Sequence, residues 1–297
     1  MTPPSPSPLP ARDPLGHKGT FGTVGVLGGC AVRPRIMVGG PAFAALGALR
    51  SGAGLAVIAA PQTLLPFILS VCPSAIGLSL PQAEDGSLLP SSCAEVLDEV
   101  RGSFAAFVIG PALGLHPSAA QIVVRLTSLS ERPLVIDADA LNALSTLADF
   151  ASDVRAPCVL TPHPGEFKRL ATALGIAADP VDSARRVQAA ESLAQRLGCV
   201  VVLKGARTVV TDGHQTHESA IVCDALATAG TGDVLAGVIA GLIAQHHDAL
   251  DAERGWSLFA CAVRGVEAHG LAGQRIGRPG LLATELAAAV ADVLAGD

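Results

Sequence analysis

The sequence predicts an α/β fold built on one mostly parallel sheet with helices packed on it. Three observations predict this. From about Thr23 onward, short β-branched runs alternate with longer helical patterns, and each run soon ends in Gly, Pro, Asp or His. Half of the residues are hydrophobic but only 3% are aromatic, with no Tyr, so the core must be Ala, Val, Leu and Ile, which suits a buried parallel sheet under Ala-rich helices. At 297 residues the chain suits a single large α/β domain. That domain is expected over 17–297, after a disordered Pro-rich tail at 1–16 (MTPPSPSPLPARDPLG).

Taken in order, the candidate strands are Val24–Leu27, Leu55–Ala59, Ala106–Ile109, Leu134–Ile136, Cys158–Leu160 and Val200–Leu203. Thr208–Thr211 and Thr216–Ile221 form a closing hairpin-like pair around Asp212-Gly213. Candidate helices are Pro41–Ser51, Pro117–Leu129, Gly165–Leu174, Ala184–Leu197, Thr231–Gln245, Glu253–Ala272 and Thr284–Leu294, with Pro81–Ser92 as a surface loop. Helices between successive strands imply crossover connections.

Composition also excludes functions. A net charge of -6 without Lys/Arg clusters argues against a nucleic-acid surface. The seven cysteines are scattered, with no CxxC pair, which fits neither a disulfide framework nor a zinc knuckle. The N-terminus lacks the apolar run of a signal peptide, and the longest apolar helical run, Val234–Ala244, is too short to span a bilayer. A cytoplasmic protein with no membrane partner is expected.

In open α/β sheets ligands bind beyond the carboxyl ends of the strands. The residues there are Gly28-Gly29, Gly110-Pro111-Ala112-Leu113-Gly114, Asp137-Ala138-Asp139, Thr161–Glu166 and Lys204-Gly205. The segment Ala229–Asp233 (AGTGD) opens a helix whose apolar residues Val234, Leu235, Val238, Ile239, Leu242 and Ile243 share one face. Gly230, Thr231 and Gly232 therefore offer unpaired N–H groups and bare backbone to phosphate oxygens, and Asp233 stands in the first turn as a candidate base. The same residues also describe a Thr-capped helix with an acidic first turn. Lys204-Gly205-Ala206-Arg207-Thr208 follows a buried strand and offers a point charge and free backbone to a nucleotide; an ordinary turn with a solvated lysine has the same pattern. In TPHPGEF (Thr161–Phe167), two prolines frame His163, a candidate hydrogen-bonding group, and Glu166 could orient water around a magnesium ion. Asp137, Asp139 and Asn142 stand at a helix start, where an N-cap suffices to explain an Asp. Small residues in Gly39–Gly54 leave room beside Ala42 for a flat ligand, although packing alone explains them too. Neither a GxGxxG fingerprint nor a GxxxxGK[ST] loop is present.

Taken in order, HKGTFGTVGVLGG, GPAFAALGALRSGAGL, FVIGPALG, PLVIDADALNAL, VLTPHPGEFKRL, VVLKGARTVV and LATAGTGDVLAGVIAGLIAQ resemble the nucleotide-dependent NAD(P)H-hydrate dehydratases of the ribokinase-like superfamily. The resemblance implies a three-layer α/β/α fold. It implies dehydration of the S epimer of hydrated NADH or NADPH, driven by ADP (giving AMP and phosphate) or ATP, with Mg2+. Asp233 would contact the hydrate and act as base. Gly230, Thr231, Gly232 and Lys204, Gly205, Ala206, Arg207 and Thr208 would bind the adenine nucleotide, while Ala42, Gly110, Ala112, Gly114 and His163 would line the hydrate pocket. A homo-oligomer, a tetramer, is implied, with a separate epimerase in the same pathway because no second α/β domain fits in the remaining length. Two departures stand out: Ala112 replaces a frequent Gly in the GPxLG turn, and Cys223-Asp224 replaces an Asn-Pro pair before ALAT. A small-molecule kinase of the same superfamily, of the hydroxyethylthiazole or sugar kinase type, and a non-catalytic nucleotide-binding protein are the alternatives.

Overall fold

Alternation along the strands fixes the layers. Successive strand side chains point to opposite faces, so β4 (Ala106–Ile109) sends Ala106 and Val108 into one core and Phe107 and Ile109 into the other. The computed structural model describes residues 12–129, 131–147, 149–182, 184–247 and 257–296. Ahead of β4 come β1 (Thr23–Leu27), α1 (Gly39–Arg50), β2 (Leu55–Pro61), α2 (Leu65–Val71), β3 (Ile76–Leu80) and α3 (Pro90–Val100). After it follow α4 (Pro117–Leu129), β5 (Leu134–Ile136), α5 (Asp139–Ser145), α6 (Phe150–Asp153), β6 (Cys158–Leu160), α7 (Pro164–Ala173), α8 (Arg186–Leu197), β7 (Val200–Leu203), β8 (Val209–Thr211), β9 (Thr216–Glu218), α9 (Thr231–Gln245), α10 (Leu258–Ile276) and α11 (Ala283–Ala295).

The sheet order is β3-β2-β1-β4-β5-β6-β7-β8-β9, parallel from β3 to β7 and closed by antiparallel β8 and β9. One core joins α1, α9, α10 and α11 to one face of the sheet, and a second joins α3 to α8 to the other. The fold is a three-layer α/β/α sandwich. Helix α9 is buried on nearly every side rather than along one face. Small residues permit this: a Cβ on Gly237 would lie 1.9 Å from the Ala44 carbonyl oxygen of α1, so the two backbones touch.

Several expectations need correction. The surface loop ends sooner than Ser92, because Pro90 occupies the first turn of α3, where its missing N–H costs nothing. Strand β3 (IGLSL) was not foreseen; it lies at the sheet edge, largely exposed, and so carries no buried apolar run. The helix expected from Glu253 begins outside the described residues; its described part, α10, is capped by Ser257, whose Oγ accepts from the Ala260 N–H at 3.3 Å. Residues 1–11 of the expected tail also lie outside the described residues, whereas the Arg12 guanidinium stacks 3.5 Å above the Phe21 ring and donates to the Gly52 carbonyl. Among the described residues no helix is long and apolar enough to cross a membrane.

Candidate active site

Strands β5, β6 and β7 are adjacent, parallel and in register, with Ile136 beside Leu160 and Leu160 beside Val201. The residues just past their carboxyl ends therefore converge. Lys204 Nζ donates to Asp137 Oδ1 at 2.7 Å, and Thr161 Oγ1 donates to the same oxygen at 2.7 Å. Glu166 Oε2 lies 3.9 Å from Lys204 Nζ. Asp137 and Thr161 have almost no exposed surface. Burial alone would lower the Lys204 pKa, but Asp137 and Glu166 outweigh it and hold the ammonium above its ordinary value. Ala138, between Asp137 and Asp139, adopts φ 50° and ψ -121°, a conformation costly for a residue with a Cβ. It aims Asp137 at Lys204, while Asp139 Oδ2 accepts from the Gly114 N–H at 2.8 Å.

The AGTGD turn closes over this cluster. Gly230 caps α9 with φ 89°, and a Cβ there would lie 2.7 Å from the Phe43 ring. Thr231 Oγ1 is 2.8 Å from both the Leu226 and Thr228 carbonyls, so its hydroxyl pins the turn rather than facing a ligand. His269 on α10 braces the same turn, with Nε2 2.9 Å from the Thr231 carbonyl oxygen; burial pushes its pKa down to about 4, so the ring is neutral and donates. Gly232 and Asp233 present their N–H groups ahead of the first intrahelical acceptor. A Cβ on Gly232 would sit 3.4 Å from Lys204 Nζ, which places the ammonium directly beside the turn. Asp233 joins the cluster as a half-buried carboxyl raised to about 7, first by burial and then by the charge of Asp137, with Lys204 partly opposing.

Beside Lys204 and Gly232 opens a cavity of about 400 Å³. Gly205, Ala206, Thr208 and Thr231, all nucleotide-site candidates, line it. Ser219, Ile221, Leu235, Val266 and Gly270 also line it and were not foreseen, because β9 and α10 reach it only through the fold. Cys223 and Asp224 lie on its wall. Arg207 does not: its side chain is exposed, 3.8 Å from Glu218.

The residues expected around the hydrate are less uniform. Ala42 has no exposed surface and serves packing in α1. Gly110 packs beneath Asp137, whose carbonyl oxygen would lie 1.9 Å from an added Cβ. Ala112 holds φ 54°. His163 is committed to capping α7: Nδ1 accepts from the Gly165 N–H at 2.9 Å, and Glu166 Oε2 accepts from the His163 N–H at 2.8 Å. Burial, then the Lys204 and Arg169 charges, lower the His163 pKa and keep the ring neutral. Asn142 accepts from Arg169 Nε at 2.8 Å.

A family model described as NAD(P)H-hydrate dehydratase matches residues 24–292. The chain belongs to this family. Among curated relatives of the dehydratase family, the bifunctional NAD(P)H-hydrate repair enzyme Nnr of Salinibacter ruber is 42% identical over 245 residues, covering 82% of this chain and 43% of that protein. Its counterpart in Moorella thermoacetica is 35% identical over 92% of this chain and 48% of that protein. The chain thus spans about half the length of these curated relatives. The ADP/ATP-dependent NAD(P)H-hydrate dehydratase of Bacillus subtilis, crystallised with ATP and Mg2+, superposes with a TM-score of 0.73 at 30% identity, covering 96% of this chain and 93% of the other. Hydroxyethylthiazole kinase of Pyrococcus horikoshii, 18% identical with a TM-score of 0.55 over 93% of this chain and 89% of that one, shares the fold alone.

Proposed function

We propose that this chain uses an adenine nucleotide to dehydrate the S epimer of NADH or NADPH hydrate, restoring the dihydronicotinamide. ADP, giving AMP and phosphate, is the preferred phosphoryl donor. The observation that carries the reading is that Lys204 and the N-terminus of α9 meet and line the 400 Å³ cavity, with the next residue of α9, Asp233, carrying a carboxyl raised to about 7 by burial. The base and ribose occupy the cavity, and the phosphates lie against Lys204 and the Gly232 and Asp233 N–H groups. Asp233 accepts the proton of the hydrate hydroxyl as its oxygen bonds to the transferred phosphorus; a carboxylate with a pKa near the working pH suits that task. The hydroxyl, a poor leaving group, departs as phosphate when the ring-nitrogen lone pair expels it, and loss of a proton from the neighbouring ring carbon to water then restores the ring double bond.

Magnesium suits this donor set as an ion carried by nucleotide phosphates. Among the described residues no group of three or more His, Cys, Asp or Glu side chains is arranged as a cage, and Mg2+ commonly keeps several waters and binds through one or two carboxylates plus phosphates. Glu166, buried and raised in pKa first by burial, is the carboxyl to reach such an ion through water, and the ion would neutralise phosphate charge. The R epimer reaches the site only after a separate epimerase has converted it to the S epimer. The test is recovery of dihydronicotinamide absorbance from NADH hydrate with Mg2+ and either ADP or ATP. No recovery with either nucleotide would overturn the reading, and a stable phosphorylated product would make the chain a kinase.

A further inference from the structure

Lys204 and Gly205 leave the end of β7 as a turn that α8 holds from behind. Arg186, the first residue of α8, donates from Nη2 to the Leu203 carbonyl oxygen at 3.0 Å and to the Lys204 carbonyl oxygen at 3.2 Å. Its own backbone is tied down by the Arg186 N–H, which donates to the Asp182 carbonyl oxygen at 2.9 Å. The guanidinium lies so close to Gly205 that an added Cβ would sit 2.7 Å from Nη1, and Gly205 takes φ 149°, so the position favours glycine twice over. Burial lowers the Arg186 pKa and the Glu218 charge opposes it; an arginine keeps its charge through such a shift. Its Nε is buried with no hydrogen-bond partner among the described residues, a cost that an apolar side chain there would not carry. Lys204 and Gly205 line the cavity, and Arg186 does not.

A trans peptide unit is planar, so its C=O and its N–H point in opposite directions. The Leu203 carbonyl faces Arg186, and the Lys204 N–H of the same unit points the other way, to the Pro162 carbonyl oxygen at 2.9 Å. The Lys204 carbonyl faces Arg186 too, which turns the Gly205 N–H away from the guanidinium. Among the described residues no group accepts that N–H. A cationic donor on the carbonyl also polarises the unit and strengthens its N–H as a donor.

We propose that Arg186 is a positioning residue that, by gripping the Lys204 carbonyl, presents the Gly205 N–H to the phosphates of a nucleotide bound in the cavity. The proposal rests on the nucleotide reading of that cavity. Arg186 acts on the ligand only through the peptide unit between Lys204 and Gly205. Without its grip that unit can rotate, and the donor is no longer aimed.

The test is calorimetric binding of ADP with Mg2+ to the intact protein, with backbone amide exchange followed by mass spectrometry and thermal melts to confirm folding. In the wild type, saturating ADP should slow exchange in 204–208 as well as at the AGTGD turn. Arg186→Met should bind ADP roughly ten- to a hundredfold more weakly, while the KM for NADH hydrate stays within about threefold of wild type. At saturating ADP this variant should still protect the AGTGD turn and lose the protection in 204–208, which a merely structural role would not do. Unchanged ADP affinity in Arg186→Met, with a lowered melting temperature, overturns the proposal. So does wild-type ADP binding that protects the AGTGD turn and leaves 204–208 unprotected. If Arg186→Met does not fold, Arg186→Lys takes its place: its shorter side chain keeps the cation but falls short of the two carbonyls, and wild-type ADP affinity there overturns the proposal. Absence of ADP binding by the wild type overturns the nucleotide site itself, and the proposal with it.

Discussion

Asp233→Asn is expected to stabilise the protein at neutral and alkaline pH while removing most of its turnover. The carboxyl moves from an ordinary 3.8 to about 7 in the fold. At 1.36 kcal/mol for each tenfold change in proton affinity, ionising it in the folded chain costs about 4 kcal/mol more than in the unfolded chain. Partial exposure and solvent screening reduce this to about 2 kcal/mol. The folded state keeps this proton after the unfolded chain has lost it. Wild-type stability attributable to Asp233 is therefore complete below about pH 4, falls as pH rises, and is fully lost above about pH 7. Asn keeps the shape and never ionises, so the stability gap between variant and wild type should open from about pH 4 to about pH 7 and stay constant beyond. Urea unfolding of both proteins across that range measures the gap, and turnover of NADH hydrate measures the cost. The wild-type kcat/KM should rise with pH along an acid limb centred near 7, which the variant lacks. A gap independent of pH would refute the raised carboxyl, and normal turnover by the variant would refute its role as base.

Other substitutions probe the rest of the cluster. Lys204→Met leaves the buried Asp137 and Glu166 carboxylates without their cation, so it should cost about 3–5 kcal/mol in urea unfolding and weaken ADP binding measured by calorimetry. Ala112→Gly relieves a left-handed backbone worth about 1–2 kcal/mol against about 0.5–1 kcal/mol of added chain entropy. The net gain of about 0.5 kcal/mol should raise the melting temperature by about 1 °C, and a lowered temperature would contradict the strain argument. His163→Ala removes the α7 cap and should lose about 1 kcal/mol, which His163→Asn should restore because its amide oxygen can accept the same N–H groups; unfolding of the two variants decides it.

The amino-acid sequence by itself determined the layered class of this fold, because buried parallel strands leave short β-branched runs that local pattern reveals. It also marked the AGTGD turn and the Lys204 segment, since a helix start and a strand end are local events. It did not reveal β3, whose edge position removes the apolar run that would announce it. It gave Asp137 no role beyond a possible helix cap, although the residue anchors Lys204, because that pairing joins positions 67 residues apart through adjacent strand ends. For His163 the double-proline frame marked a candidate hydrogen-bonding group, and the fold adds what local pattern could not show, that its ring Nδ1 and backbone N–H also cap α7. Only the tertiary structure decided that Ser219 and Ile221 line the cavity beside Lys204 and that Asp233 shares its surroundings with Asp137, Asp139 and Glu166. The physical reason is that side-chain pattern reports which way a segment faces, whereas proton affinity and ligand shape depend on neighbours that strand order and helix packing bring from distant parts of the chain.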